Sequence, residues 1–476
     1  MRTRKLAALL AAAVTLVTAA PGAHAQPATS TPPTRPNSQP PPVDPGLRPP
    51  NAPAQEDVNY AKSVECIRSG TNNRRIENRP WGQMQLRLEE AHRFATGRDV
   101  KLAIIDTGVN ADHPRLRGRV SPGGDYVETG EKGIRDCDGH GTGVAGVAAA
   151  SRDDATGFVG AAPEAQVIAI RQTSKHYEYK DPAKVDNRPT AGKVGTLAQA
   201  IVVAVEQGAQ VINISLTACA APHEPSRQER ELQAAIHWAV NDRDVVVVTA
   251  AGNIDPANGC EGQNDHEDVN DVRVVASPPW YADDVLSVAS INQIGDVSSF
   301  SVWGPWVSVA APGEGIVTLD PAGEGLTDAN VDPSGKVTAI QGTSFAAPYV
   351  AGVATLVRER FPDLDARQVM DRIKATAQHP GNPDGRDRKV GYGMINPVAA
   401  LTAELPSERP GAKPVAPEQV MTTLDPLNPP DRTPMIVALS GTGAGVGLLL
   451  LTLFIVHTVN RNRARRAAVP VKRSLI

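Results

Sequence analysis

Short runs of valine and isoleucine alternate with amphipathic segments through the middle of the chain. The runs that predict buried strands lie at 101–105, 167–171, 211–216, 245–249 and 285–290. The segments that predict helices lie at 197–207, 230–240 and 366–377. Buried strands that alternate with helices are typical of an α/β fold with a doubly wound, mainly parallel sheet. Polar insertions, which we expect to be solvated loops, lie at 173–195, 219–228 and 255–271.

Residues 1–25 have the pattern of a signal peptide. Basic residues in 1–5 precede an apolar run over 6–20, and alanines near the end of the segment suit signal peptidase. A membrane anchor is the alternative, but the apolar run is short and rich in small residues. We therefore expect the mature chain to start at Gln26.

A second apolar segment lies at 435–458. It is uncharged and reaches the length of roughly 20 residues that a helix needs to cross a bilayer. Basic residues follow in 459–476, and such residues favour the cytoplasmic side of a membrane. A buried core helix is the alternative, but no further domain follows to bury it. We expect one transmembrane helix, a cytoplasmic tail and an extracytoplasmic domain in the cell membrane.

Two proline-rich segments flank the middle of the chain. Proline, serine and threonine dominate 26–55, and proline recurs through 404–434, so we expect both to be disordered or polyproline II linkers. Residues 56–79 form a polar N-terminal extension with too few apolar residues for a core of its own. The span 80–403 contains the strand and helix pattern and is the predicted globular domain.

The composition limits the classes of function. With 476 residues, 41% of them hydrophobic, and a net charge of −4, the chain suits one large domain with appendages and gives no indication of nucleic-acid binding. Four cysteines in an exported chain imply two disulfides with three possible connectivities. The cysteine and histidine spacings do not match a zinc site, so we predict no metal and no cofactor.

The segment 341–352 places a serine at the predicted start of a helix. Gly342 supplies a backbone without a Cβ, and small and apolar residues continue at helical spacing after Ser344. Free N–H groups and the positive end of the helix dipole favour negative charge in this turn, which suits a nucleophilic hydroxyl and the oxyanion formed by its attack. A helix cap is the alternative, because serine and threonine are common caps.

A nucleophilic serine needs a base and a group that orients the base, and two other segments supply candidates. The strand at 101–105 leads into Asp106, which places a carboxylate at the carboxyl edge of the sheet, where ligands bind in such folds. His140 stands among glycines just before a predicted helix of small residues. A lone histidine in such a place is more often structural. A catalytic role for His140 is therefore supported only by its occurrence together with Asp106 and Ser344.

Asn253 is a fourth candidate. It follows the buried strand at 245–249 and carries a side-chain amide. The amide can complete an oxyanion hole with the backbone N–H of Ser344. A turn residue after a strand is the alternative.

Together these segments resemble the subtilisin-like serine proteases. The order Asp, His, Ser is the subtilisin order. The family motifs are matched by Asp106 in Asp-Thr-Gly, His140 in His-Gly-Thr, Asn253 in Ala-Ala-Gly-Asn and Ser344 in Gly-Thr-Ser-Phe-Ala-Ala-Pro. The similarity covers about 78–403. With its flanks, the layout is similar to that of the mycosins, membrane-anchored proteases of bacterial type VII secretion systems.

The resemblance also implies where a substrate binds. Family members hold an extended peptide between two backbone edges, which correspond here to Gly192, Gly195, Ser215, Leu216 and Thr217. Recognition would then be by strand addition. Thr217 stands where many relatives have glycine, which leaves the side-chain preference open.

The strand positions narrow the disulfide pairing. Cys219 and Cys260 each follow the carboxyl end of a predicted strand, and such ends share one face of a doubly wound sheet. We therefore expect Cys219 to pair with Cys260, which leaves Cys66 for Cys137. The second bond would clamp the extension 56–79 beside the active site.

The leading hypothesis is an exported, membrane-anchored serine endopeptidase that acts on a protein or peptide substrate and associates with a membrane secretion complex. An aspartic protease is an alternative for Asp106, but such enzymes need two catalytic aspartates, and no second Asp-Thr-Gly or Asp-Ser-Gly occurs in the sequence. Another alternative is a structural role, in which the domain stabilises the secretion complex and proteolysis is secondary.

Overall fold

The computed structural model describes residues 38–68, 76–180, 190–256, 259–266, 268, 271–331, 336–408 and 433–467. The predicted signal peptide, the linker segments 26–37 and 409–432 and the end of the predicted tail lie outside the described residues. The described residues up to Pro380, with Asp387–Ala403, form one unit, and Gly381–Arg386 with the described residues after 403 form a second.

A 7-stranded sheet dominates the first unit, and smaller sheets surround it. The strands of the described residues are β1 (Tyr60–Lys62), β2 (Lys101–Asp106), β3 (Val120–Asp125), β4 (Gln166–Arg171), β5 (Ser174–Tyr179), β6 (Thr190–Ala191), β7 (Val211–Ile214), β8 (Ala218–Ala220), β9 (Val246–Ala250), β10 (Val275–Ser277), β11 (Leu286–Ile291), β12 (Val309–Pro312), β13 (Thr318–Leu319), β14 (Leu326–Thr327), β15 (Ala329–Val331) and β16 (Val337–Ala339). The α-helices are α1 (Trp81–Gln85), α2 (Leu88–Ala91), α3 (His140–Ala149), α4 (Val194–Glu206), α5 (Arg227–Asn241), α6 (Thr343–Arg360), α7 (Ala366–Ala375), α8 (Pro397–Thr402) and α9 (Thr433–Ala467).

The central sheet has the order β12-β11-β9-β7-β2-β4-β3, and each neighbouring pair is parallel. Its inner strands are buried on both faces, which explains their consecutive valine, isoleucine and alanine residues. Helices α3 and α6 pack against each other and against the sheet, as do α4 and α5. The predicted doubly wound parallel sheet is confirmed.

Strand β2 lies at the centre of this sheet, between β4 and β7. The chain first builds the side that contains β3 and β4 and then crosses to β7, so the strand order reverses beside β2. The carboxyl ends of strands at such a point border a crevice in which ligands bind. Asp106, the last residue of β2, lies at this crevice.

Both edge strands of the sheet were missed by sequence analysis. Strand β3 contains Pro122, Gly123 and Gly124, and β12 ends at Pro312. Proline cannot donate to a strand ladder and glycine weakens a strand, so these segments lack the usual pattern. They are tolerated because an edge strand pairs on one side only.

Part of the predicted linker 26–55 is held against the domain. Gln233 of α5 donates a hydrogen bond from Nε2 to the Pro41 carbonyl over 2.7 Å. The Arg48 guanidinium lies 4.4 Å from the centre of the Trp238 ring. A proline-rich chain keeps carbonyl groups free to accept hydrogen bonds from a neighbouring helix. The described part of this linker therefore contacts the domain, which its composition alone does not predict.

The insertion at 173–195 was expected to be a solvated loop, but it contains strand β5. This strand pairs antiparallel with β1 of the N-terminal extension, where Tyr60 lies opposite Tyr179 with their rings 5.2 Å apart. The insertion at 219–228 likewise begins within β8, which pairs with β10. Strands of this kind were missed because they depend on partners that are remote in sequence.

Both predicted disulfides are present in the structure. Cys66 pairs with Cys137, with an S–S distance of 2.05 Å, and Cys219 pairs with Cys260 at 1.97 Å. The backbone N–H of Ile67 also donates to the Cys137 carbonyl over 3.0 Å. The extension is thus fixed to the backbone just before α3.

The second unit contains helix α9, which is apolar along most of its length. Its segment Met435–Arg465 contains an 18-residue window with a mean hydropathy of 2.0 and is long enough to cross a membrane, by length and composition. The predicted span 435–458 lies within this helix, and Arg461 and Arg463 follow it.

Removal of the Cys66–Cys137 disulfide should destabilise the domain. The bond joins residues with a sequence separation of 71, and the chain-entropy model gives about 4 kcal/mol for a loop of this size. We expect the double variant Cys66→Ser/Cys137→Ser to lower the free energy of unfolding by about this amount in a denaturant titration.

The matched control is Cys219→Ser/Cys260→Ser, which opens a loop with a separation of 41. Its loss of stability should be similar, but it leaves the extension attached. Limited proteolysis of the extension should therefore accelerate in the first variant and not in the control. Peptide mapping of the native protein without reductant would contradict the clamp if it found a chain that begins near Pro80 and has a free Cys137.

Candidate active site

The side chain of Asp106 is fully buried at the end of β2. Its Oδ1 accepts a hydrogen bond from the backbone N–H of Thr107 over 2.8 Å. The helix that begins at His140 packs closely against this residue and the turn after it. A Cβ on Gly141 would stand 3.2 Å from Asp106 Oδ1 and 2.0 Å from the Gly108 carbonyl oxygen. Packing therefore requires glycine directly after the histidine.

His140 is the first residue of α3, and its ring contacts Asp106. The Nδ1 atom lies 2.7 Å from Asp106 Oδ1. Because a carboxylate only accepts hydrogen bonds, Nδ1 carries the proton and Nε2 is left as an acceptor. Burial lowers the pKa of His140, but the charge and hydrogen bond of Asp106 outweigh it, so the pKa is raised above the ordinary value for histidine.

Ser344 lies in the first turn of α6, which begins at Thr343. The Ser344 carbonyl accepts a hydrogen bond from Ser215 Oγ over 2.7 Å, which ties the start of α6 to the residue after β7. The next residue, Phe345, packs against the His140 ring with 5.2 Å between the ring centroids. The starts of α3 and α6 are thus in contact at the carboxyl end of the sheet.

Asn253 follows β9 and contacts the turn before Ser344. Its Oδ1 accepts hydrogen bonds from the N–H of Thr343 over 2.9 Å and from the hydroxyl of Thr343 over 3.1 Å. The N–H of Gly252 donates in turn to the Thr343 hydroxyl over 3.2 Å. These bonds fix the orientation of the amide and leave Nδ2 as its donor.

Gly342 keeps a small space open between these groups. A Cβ at this position would lie 3.0 Å from Ser344 Oγ, 3.4 Å from Asn253 Nδ2 and 3.7 Å from Ser344 N. The residue also has a φ of +148°, a conformation that favours glycine. A hydroxyl and two N–H donors therefore border one space.

One of the two expected substrate edges is only partly extended. Helix α4 begins at Val194, so Gly195 lies in its first turn, next to the side chain of Gln228. A helical backbone does not offer an extended ladder to a substrate. The expectation for Gly195 is therefore corrected, whereas Gly192 precedes the helix with a φ of +122°.

The second expected edge, formed by Ser215, Leu216 and Thr217, links β7 to β8. Thr217 Oγ1 donates to the Ala250 carbonyl over 2.9 Å. The methyl carbon of Thr217 lies 3.2 Å from the point where a Cβ on Gly252 would stand. The threonine in place of glycine therefore fills space next to Gly252.

Sequence analysis missed Asp136, which lies next to the carboxylate–imidazole pair. Its carboxylate accepts hydrogen bonds from Thr107, Gly139 and Thr142. Burial raises the pKa of Asp136 to about 6, and hydrogen bonds from Thr142 oppose the shift. The available signal was Gly139, because a helix that starts after glycine has no side-chain cap and needs an acceptor from elsewhere.

No group of three or more His, Cys, Asp or Glu among the described residues is arranged to hold a metal ion.

Comparison with known proteins agrees with this architecture. The model of the Subtilase family matches residues 97–393. Mycosin-1 of Mycobacterium tuberculosis is 41% identical over 454 residues, which cover 93% of this chain and 96% of the relative. Asp106, His140, Asn253 and Ser344 all lie within the span of the family match.

Solved structures give the same result. The crystal structure of MycP1 from Mycobacterium smegmatis superposes with a TM-score of 0.71 and 40% identity, covering 78% of this chain and 97% of that chain. A chain in the structure of an intact ESX-5 inner membrane complex has a TM-score of 0.72 and 37% identity, covering 88% of this chain and 100% of that chain. By the family match and by identity over most of both chains, the protein belongs to the subtilase family of serine endopeptidases and, within it, to the mycosins.

Proposed function

We propose that the protein is an exported, membrane-anchored endopeptidase whose catalytic triad is Asp106, His140 and Ser344. The observation that carries the proposal is the 2.7 Å contact of His140 Nδ1 with the buried Asp106 carboxylate, beside the start of the helix that holds Ser344. A buried carboxylate that orients an imidazole next to a serine is the arrangement that activates a hydroxyl nucleophile.

In this mechanism Asp106 keeps the proton of His140 on Nδ1, so Nε2 takes the proton of Ser344 as Oγ attacks the peptide carbonyl. His140 then gives that proton to the leaving amine, and water hydrolyses the acyl-enzyme by the same route. His140 contacts α6 through Phe345 in the free protein. The hydrogen bond between a nucleophile and its base often tightens only when substrate binds.

Asn253 and the backbone N–H of Ser344 would hold the oxyanion. Both donors border the space that Gly342 leaves open, and the Ser344 hydroxyl borders the same space. An oxygen that becomes negative there receives donors that are already fixed in position, so little reorganisation is needed during the reaction.

The substrate would bind as an extended strand along Ser215, Leu216 and Thr217, with Gly192 on the other side. Main-chain hydrogen bonds then supply affinity, and side-chain pockets supply selectivity. The Thr217 side chain fills part of the space beside Gly252. We expect the enzyme to prefer a small side chain on the substrate residue that binds next to Thr217.

The flanks support a membrane location. The signal-peptide pattern over 1–25 indicates export, and Met435–Arg465 is long and apolar enough to cross a membrane. Basic residues in 459–476 favour a cytoplasmic tail. The domain 80–403 and the clamped extension 56–79 would then lie outside the cytoplasm.

The relatives support an association with a membrane secretion complex. One similar chain is part of an intact ESX-5 inner membrane complex, and another similar structure is described as an essential component of the type VII (ESX-1) secretion system. We infer that this protein serves a type VII system, with a secreted component of that system as its substrate. A mainly structural role in the complex is the second candidate, and the same membership in a complex favours it.

Substitution of the triad should abolish hydrolysis. We expect Ser344→Ala, His140→Ala and Asp106→Ala each to remove activity on a peptide substrate, because they remove the nucleophile, the base and the group that orients the base. Asn253→Ala should lower kcat by about 100-fold to 1,000-fold, the range for one oxyanion donor. Steady-state kinetics on the purified ectodomain measure both effects, and unchanged hydrolysis by Ser344→Ala would refute the mechanism.

A methyl group at Gly342 should impair catalysis. Gly342→Ala places a Cβ among Ser344 Oγ, Asn253 Nδ2 and Ser344 N, at a φ of +148° that alanine adopts poorly. We expect kcat to fall by about 100-fold, because the displacement reaches both the nucleophile and the oxyanion donors. The matched control is Gly130→Ala, whose Cβ would enter open space. Equal kcat values for the two variants would show that the space is not used in the reaction.

A cellular comparison separates proteolysis from a structural role. We expect cells with Ser344→Ala to keep an intact secretion complex and to secrete an unprocessed form of one component, which quantitative mass spectrometry of the culture medium would detect. Deletion of the gene provides the control. If the variant and the deletion disrupt the complex equally, the structural candidate loses its support.

A further inference from the structure

Asp106 and His140 lie on different elements, so their alignment depends on whatever joins the end of β2 to the start of α3. The two residues have a sequence separation of 34. The direct contact between them is one hydrogen bond, which does not by itself fix two backbones. The neighbours of both residues, however, converge on the carboxylate of Asp136.

One oxygen of Asp136 binds a neighbour of each residue of the pair. Its Oδ1 accepts from the Thr107 hydroxyl over 2.9 Å, and Thr107 directly follows Asp106. The same oxygen accepts from the Gly139 N–H over 2.7 Å, and Gly139 directly precedes His140. Thr107 and Gly139, the immediate neighbours of Asp106 and His140, thus bind the same oxygen atom.

The other oxygen of Asp136 holds the first turn of α3. Its Oδ2 accepts from the N–H of Thr142 over 2.8 Å and from the hydroxyl of Thr142 over 2.7 Å. The N–H of Gly141 donates to the Thr107 hydroxyl over 2.8 Å, which closes the network. Gly139 has no side chain to cap α3, so Asp136 supplies the negative acceptor that a helix start favours.

We propose that Asp136 is a positioning residue of the peptidase, which holds the turn after Asp106 and the start of α3 in the alignment that His140 needs. The inference rests on the triad assigned under the proposed function. Asp136 acts through its neighbours and is not assigned any contact with substrate.

The charge of Asp136 has a second effect that can be measured separately from its position. The charged groups that act on His140 are Asp106 and Asp136, which raise its pKa, and Lys175 at the start of β5, which lowers it. Removal of the Asp136 charge therefore lowers the pKa of His140. Since the neutral imidazole is the base, activity then persists to lower pH.

The central experiment is the kinetics of Asp136→Asn over a range of pH. Asparagine keeps the shape of the side chain but has one acceptor oxygen, so it cannot accept from Thr107 and Thr142 together. We expect kcat to fall by about tenfold to 100-fold with KM nearly unchanged, because misalignment affects the reaction more than binding. We also expect the acidic limb of the kcat/KM profile to move to lower pH.

Asp138→Asn is the matched control. Asp138 lies on the same segment but accepts hydrogen bonds from Ser174 and Lys175 of β5. We expect its kcat to stay near that of the wild type at the optimal pH. If both variants lose kcat in equal measure, the effect comes from the segment as a whole and the positioning role is overturned.

Thr107→Val provides a second route in case Asp136→Asn does not fold. It removes the hydroxyl that joins Asp136 to Gly141 but keeps the carboxylate. We expect kcat to fall while the acidic limb stays near its wild-type position. A wild-type kcat in Thr107→Val, or a wild-type kcat and pH profile in folded Asp136→Asn, would overturn the proposal.

The failure of this proposal is distinguishable from the failure of the triad. Wild-type protein and Ser344→Ala are measured in parallel, and hydrolysis that persists in Ser344→Ala refutes the triad itself. If hydrolysis depends on Ser344 and the Asp136 and Thr107 variants match the wild type, only the positioning role is refuted.

Discussion

The contact between the buried Asp106 carboxylate and the His140 ring governs the arrangement of the domain around the active site. A carboxylate removed from water is unfavourable unless hydrogen bonds or an opposite charge compensate it. Here Oδ1 receives both the Thr107 N–H and the imidazole. Gly141 allows the helix to come this close, and the central position of β2 removes solvent from the strand end. The same contact raises the pKa of His140, so the packing of α3 against the end of β2 and the basicity of the imidazole depend on one interaction.

The features that could be predicted from sequence are those with local signals. Buried parallel strands consist of consecutive valine and isoleucine residues, and their carboxyl ends share one edge of the sheet, so Asp106 and Asn253 could be placed there. Small and apolar residues begin to recur at helical spacing just after His140 and Ser344, and this change in the pattern placed both residues at helix starts. The pairing of Cys219 with Cys260 followed from the same strand ends and is present in the structure.

The features that could not be predicted depend on partners that are remote in sequence. Strand β5 pairs with β1, and the proline-rich residues around Pro41 lie against α5, where Gln233 donates to the Pro41 carbonyl. Gly195 has the composition of a loop residue but lies in a helix that continues into an apolar stretch. Asp136 showed no pattern of its own, because its importance comes from donors in the turn after β2 and at the start of α3 that meet at one carboxylate.

Three consecutive residues before α3 each hold a different part of the structure. Asp136 holds the turn after β2, Cys137 holds the N-terminal extension through its disulfide, and Asp138 holds the start of β5. Because β5 pairs with β1, the extension is attached to this segment both covalently and through a strand ladder. Cys137 thus lies between two carboxylates that bind different elements, and only Asp136 accepts hydrogen bonds from the start of α3. The disulfide thus brings the extension to within three residues of His140 in sequence, while the alignment of that histidine is the role proposed for Asp136.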